Sequence, residues 1–167
     1  MMRGVWSGLA CAMALAACSP AAEEKPAAEA SGPDAITPHN PLFGEWDLTA
    51  AKIAPWWDKK GEEPAPDQGL SHISFSAVKS TGPAIVACEK PRYAVNLVPL
   101  RSLFEGNLPD PAADAAAIGF KDTSATVITF SCEDNTRDVT LDFPMIDDDA
   151  IALGLDNVVY TFKRTGD

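Results

Sequence analysis

The chain has 167 residues, with 24 acidic against 13 basic side chains and a formal net charge of −11. An acidic surface is repelled by nucleic acid and by anionic head groups, and no basic cluster offsets it, so the sequence argues against nucleic-acid binding. The length suits one domain with a true core, and no internal repeat multiplies it.

Arg3 is the first charge and Glu23 the next. Between them, Val5 to Ala17 is a run of apolar and small residues. At about 1.5 Å per residue it covers roughly 20 Å as a helix, short of the roughly 30 Å of a hydrocarbon core. A basic start, a short apolar middle and small residues before a cut is the layout of a secretory signal. The run ends in Leu15-Ala16-Ala17-Cys18, which resembles the lipobox of bacterial lipoproteins. That resemblance implies a signal peptide over 1–17, cleavage before Cys18, and a diacylglyceryl group on the Cys18 thiol. The new amino group is then open to acylation, and two or more acyl chains anchor stably where one does not. The implied address is the cell envelope, with the domain in the periplasm and the membrane as partner through the lipid. Ser19, in place of the aspartate that favours inner-membrane retention, favours the outer membrane. The competing reading is an alanine-rich signal with a chance cysteine, which is how Cys11 reads. Cleavage removes one positive charge, Arg3, and no acidic residue.

Residues 18–40 follow, rich in Pro, Ala and Glu, with Ile36 as the one large aliphatic residue and no aromatic. Such a stretch cannot bury enough apolar surface to offset its ordering entropy. It reads as a disordered tether with a mean reach of about 25 Å. His39 lies in it and reads as solvated.

The globular domain spans 41–167. Trp46, Leu48 and Ala50 alternate, the period of a strand with one face inside. Ala54-Pro55 ends that strand, Trp56-Trp57 follows, and Asp58 to Gly69 reads as an exposed loop. Ile73, Phe75 and Ala77 predict a second strand, and Ser80 to Pro83 a turn. Ala84 to Cys88 is a short apolar run that predicts a third strand. Tyr93, Val95 and Leu97 alternate next, limited by Pro99. Arg101 to Pro111 reads as irregular. Pro111 to Ile118 predicts the one helix, with Pro in the first turn, Asp114 at the positive end and Gly119 as a stop. Thr126 to Cys132, Val139 to Phe143, Ile151 to Leu155 and Val158 to Phe162 then predict four strands. These are joined by turns at Glu133–Thr136, Asp147–Asp149 and Asp156–Asn157. The expected fold is mainly β: a small antiparallel barrel of about seven to eight strands with one short helix.

Gly44-Glu45-Trp46, opening the first strand, resembles the Gly-x-Trp signature of the calycin group of lipocalin-like barrels. In that group a basic residue on the last strand lies across the tryptophan, and Lys163 or Arg164 stands where it would be. The resemblance implies that Gly44, Trp46 and Arg164 close one end of the barrel, with a stacking gain of about 0.5–2 kcal/mol. The domain also resembles small bacterial envelope proteins that end in Tyr-x-Phe-x-Arg, matched by Tyr160 to Arg164. A META-type β-rich fold is the alternative. In the oxidising compartment that the lipobox implies, Cys88 and Cys132 are expected to pair as a disulfide. The rival is a metal site, but no His lies near either and no second thiol sits at ligand spacing.

Candidate chemistry is sparse. His72 alternates with core positions and reads as a surface residue. No Gly-x-Ser-x-Gly elbow appears, so no catalytic residue and no cofactor are assigned. Asp147-Asp148-Asp149 reads as a solvated turn rather than a calcium loop. Trp56-Trp57 is the most suggestive pair: adjacent residues of a strand or loop point apart, so one ring is open to stack on a ligand, and the competing reading is that both rings close a barrel end. Arg92 and Tyr93 are milder candidates at a pocket mouth. Two readings follow: a non-catalytic binding or interaction module for a small ligand, glycan or envelope protein, and a structural or stress-related envelope protein without a dedicated pocket. The size of the interior side chains discriminates them. If Trp46, Phe75, Phe130, Phe143 and Phe162 all point inward, an eight-stranded barrel has little free space. A hydrolase inhibitor is a third idea, without an identifiable reactive loop. The sequence fixes no oligomeric state.

Overall fold

The computed structural model describes residues 40–58, 68–134 and 137–165. Cys18, the signal, the tether up to His39 and most of the loop after Asp58 lie outside the described residues.

The strands are β1 (Gly44–Ile53), β2 (His72–Phe75), β3 (Ser80–Thr81), β4 (Arg92–Pro99), β5 (Ser124–Asp134), β6 (Arg137–Asp147), β7 (Ala150–Leu155) and β8 (Val158–Thr165). One helix, α1 (Pro111–Ile118), and two 3-10 segments, Gln68–Ser71 and Leu100–Gly106, complete the described chain. The strands form one antiparallel sheet in the order β3-β2-β1-β8-β7-β6-β5-β4. The expectation of a mainly β, antiparallel barrel-like fold of about seven to eight strands with one short helix therefore holds. The sheet curls into a half-barrel. Register shifts at Leu48/Ala50 and Met145/Asp147 mark where strands bend, because an extra residue kinks its strand.

The alternation read from the sequence fills the concave face. Trp46, Phe130, Phe143 and Phe162 are fully buried, Phe75 is 3% exposed, and all belong to one continuous cluster. Phe75 on β2 meets Phe143 on β6 at 5.1 Å, Phe130 on β5 at 5.8 Å and Tyr93 on β4 at 6.4 Å between ring centroids. Those contacts reach across the curl, so the two ends of the sheet face each other through aromatic packing.

The convex face has a second apolar cluster. Leu103, Leu108, Ala115 and Phe120 pack on Val127, Ala152 and Val159. β7 is thereby covered on both sides, and Ile151, Ala152 and Leu153 are all buried. α1 is held at its start by a reciprocal cap: the Asp110 carboxylate accepts from the Ala113 N–H, and Asp114 accepts from the Asp110 N–H. Among the described residues no helix is long and apolar enough to cross a membrane.

One expected strand is absent. Ala84 to Cys88 is apolar, yet Pro83 begins a turn in which the Val86 and Ala87 N–H groups both donate to the Pro83 carbonyl. Only Cys88 keeps a strand-like pairing, with Ser80. The turn shortens the path, and this brings Cys88 to Cys132 on β5, where the two form a disulfide. β3 and β4 end the sheet and do not pair with each other. The disulfide and a hydrogen bond from the Tyr93 hydroxyl to the Ser76 carbonyl (3.0 Å) span that gap.

At one end, Arg164 lies over the Trp46 ring, 4.1 Å from the centroid. It donates to the Phe43 and Pro41 carbonyls at 2.6 Å each, and to the Asp148 carbonyl. Trp46 in turn donates its Nε1–H to the Leu42 carbonyl at 2.8 Å. Gly44 has φ +132°, and a Cβ there would stand 2.7 Å from Arg164 Nη1. Glycine is thus required by both the backbone and the guanidinium. Lys163, the other candidate, is exposed. A lysine cannot reproduce a planar fork that serves several carbonyls. Arg164→Lys is therefore expected to cost about 1–3 kcal/mol, read as a lower urea midpoint at unchanged slope.

Candidate functional site

Trp56 stands just past β1, in a turn pinned to the β7–β8 hairpin. That hairpin turns through Asp156 and Asn157, both left-handed (φ 49° and 65°), the backbone that a two-residue hairpin demands. Asn157 then does two things. Its carbonyl accepts from the Ala54 N–H at 2.9 Å, and its side-chain Oδ1 accepts from Trp56 Nε1 at 3.2 Å. Asn157 thus ties down both the indole's polar edge and the backbone two residues before it.

Phe104 packs on Trp56, with centroids 5.4 Å apart and planes at 38°. It belongs to the 3-10 segment before α1, where Phe104 and Glu105 are both left-handed (φ 50° and 61°). Neither residue favours that region, and each such position costs about 1–3 kcal/mol. The return is the placement of the ring over Gly154 of β7. A Cβ at Gly154 would meet Phe104 at 2.8 Å and Trp56 at 3.4 Å. The missing side chain lets both rings lie close to the sheet.

The two rings form one wall of a groove of about 280 Å³ on the convex face. β6 supplies the opposite side, through Thr140, Asp142 and Pro144, which alternate with the inward-facing Leu141 and Phe143. Glu105 and Asn107 complete the rim. Asp142 is oriented by the Thr129 hydroxyl, which donates to it at 2.7 Å. The groove combines fixed aromatic rings with carboxylate, carboxamide and hydroxyl groups. That is the composition of a small binding site, with an apolar body and a few placed polar groups.

Of the four residues singled out for ligand binding, only Trp56 lines this groove. Trp57 is half-buried, its backbone N–H donating to the Ala54 carbonyl at 3.0 Å. Arg92 pairs with Glu133 across the β4–β5 ladder, as a strand-edge charge does. Tyr93 is wedged against Phe43, Phe75 and Phe130, and burial pushes its hydroxyl well above the usual tyrosine range. Tyr93 therefore belongs to the packing of the concave side, and Arg92 to the exposed strand edge. His72 is exposed and bonded to Asp47 at 2.6 Å. Asp147, Asp148 and Asp149 form the exposed β6–β7 turn, and this turn faces Arg164. Among the described residues no group of His, Cys, Asp or Glu side chains is arranged to hold a metal ion. A larger hollow of about 430 Å³ beside the disulfide is lined by Lys79, Glu89, Lys90 and Glu133. There Lys79 already pairs with Glu89 at 3.0 Å and Glu133 with Arg92.

Comparison of the chain with family models, with curated proteins and with solved structures finds no match.

Sequence reasoning misses Phe104, Gly154 and Asn157. Phe104 falls in the segment read as irregular, and an aromatic residue just before Gly106-Asn107 was its only signal. Gly154 interrupts an apolar strand, a usual mark of close approach by another group.

Proposed function

We propose that this chain is a lipid-tethered envelope protein whose β domain is a non-catalytic binding module, taking its ligand on the outer face of the sheet. One observation carries the reading: the distribution of aromatic rings. Trp46, Phe75, Phe130, Phe143 and Phe162 occupy the concave side that a lipocalin-like protein would leave open. Trp56 and Phe104 are instead held on the convex side, beside a groove lined also by Glu105, Asn107, Thr140 and Asp142. The lipobox-like Leu15-Ala16-Ala17-Cys18 supplies the address.

Two experiments test it. For the anchor, mass spectrometry of the mature protein should find acyl groups on Cys18, and Cys18→Ala should move the protein from the membrane to the soluble fraction. A variant that stays with the membrane as firmly as the parent ends the lipoprotein reading. For the groove, small molecules extracted from envelopes should include some whose NMR signals broaden with the parent and not with Trp56→Ala or Gly154→Ala. The second variant acts by displacing Phe104. If no signal depends on either residue, the filled interior favours the other reading, a structural envelope protein without a pocket.

A further inference from the structure

We infer that the Trp56–Phe104 groove selects a small organic cation, an alkylammonium ion of the choline type. This rests on the groove being the binding site proposed above, and adds the chemistry of its ligand. The argument is charge complementarity. The faces of aromatic rings carry negative potential and attract ammonium groups, tryptophan most strongly. Among the described residues, the ionisable side chains that line the groove are Glu105 and Asp142, both acids. A carboxylate has several acceptor sites, so the Thr129 hydroxyl bound to Asp142 orients that group without saturating it. Rings and carboxylates thus favour one sign of charge.

The backbone places these groups together. Phe104 and Glu105 are consecutive and both left-handed, and they deliver a ring and a carboxylate to the same small space. An anion meets two like charges there. A neutral sugar gains stacking but leaves the charge of both carboxylates unanswered. An ammonium on a short apolar arm uses all four groups, and a groove of about 280 Å³ suits a ligand of that size.

The test compares choline with 3,3-dimethyl-1-butanol, in which carbon replaces the charged nitrogen at nearly the same shape. Each is titrated into the acylated mature protein in a neutral detergent, followed by tryptophan fluorescence and by NMR. Choline should saturate the signal, with the neutral isostere about tenfold weaker. Asp142→Asn should weaken choline severalfold and leave the isostere unchanged, and added salt should weaken choline alone. Trp56→Ala should abolish both. Equal affinity for the two probes overturns the cation assignment and leaves the binding-module reading standing. No response to either probe, together with no Trp56-dependent ligand from envelope extracts, removes both. In a separate arm, the Cys18→Ala protein is sedimented with phosphatidylcholine vesicles. Trp56-dependent vesicle binding without binding of free choline overturns the small-molecule assignment in favour of a lipid surface.

Discussion

Replacing Cys88 and Cys132 by alanine is expected to lower the unfolding free energy by about 4 kcal/mol. The two residues are 44 apart in the chain, so the cross-link removes considerable freedom from the unfolded state. It also acts where the ladder is missing. β3 and β4 are the ends of the sheet, and the disulfide ties the segment beside β3 to β5. Without it, that end of the curl keeps the Tyr93–Ser76 hydrogen bond and the contacts of Phe75. For a domain of this size the loss corresponds to a fall in midpoint of roughly 10–15 °C. Calorimetry of the double variant and of the reduced parent should agree. Cys88 and Cys132 are only 6% and 2% exposed, so reduction of the folded parent should be slow until the structure opens. A shift below about 1 kcal/mol would mean that aromatic packing alone holds the ends together.

Much of this architecture was legible because it depends on local period. Trp46 with Leu48, Ile73 with Phe75, and Val158 with Tyr160 and Phe162 alternate, and each set faces the concave core. Pro111, Asp114 and Gly119 bound α1 as their chemistry dictates. The failures have physical causes too. The turn read at Ser80 to Pro83 lies later in the chain: Ser80–Thr81 is β3, and the turn runs from Pro83 to Ala87 through residues with the composition of a buried strand. Ile151, Leu153 and Leu155 predict the strand β7, yet Ala152 between them is buried too, because the outer face is covered by segments far away in sequence. The groove was the least legible. Trp56 drew notice as half of a tryptophan pair, but its partners Phe104, Gly154 and Asn157 come from two distant segments. No periodicity links them. What joins them is a pair of left-handed residues, Phe104 and Glu105, whose types give no hint of that backbone.

Phe143→Ala should be the most costly single substitution in the interior, at about 3–5 kcal/mol. Phe143 is fully buried on β6, a strand held by β5 on one side and β7 on the other. Neighbouring backbone cannot move in to fill the space, which places the cost toward the upper end of that range. Phe75 and Phe130, at 5.1 and 6.5 Å, would lose a ring partner as well. Urea unfolding gives the free energy, and the vacated space can be probed directly. An apolar cavity left by an aromatic ring stays dry and takes up benzene-sized molecules. Benzene should therefore raise the midpoint of Phe143→Ala and not that of the parent. The result bears on function as well as on stability. If the parent also responds to benzene, or if the substitution costs less than about 1 kcal/mol, the interior already has room for a ligand. The binding site would then be sought on the concave side. If only the variant responds, the lumen of this half-barrel is committed to packing. Recognition is then left to the convex face, where Trp56 and Phe104 are held in place by Asn157 and by a strained turn.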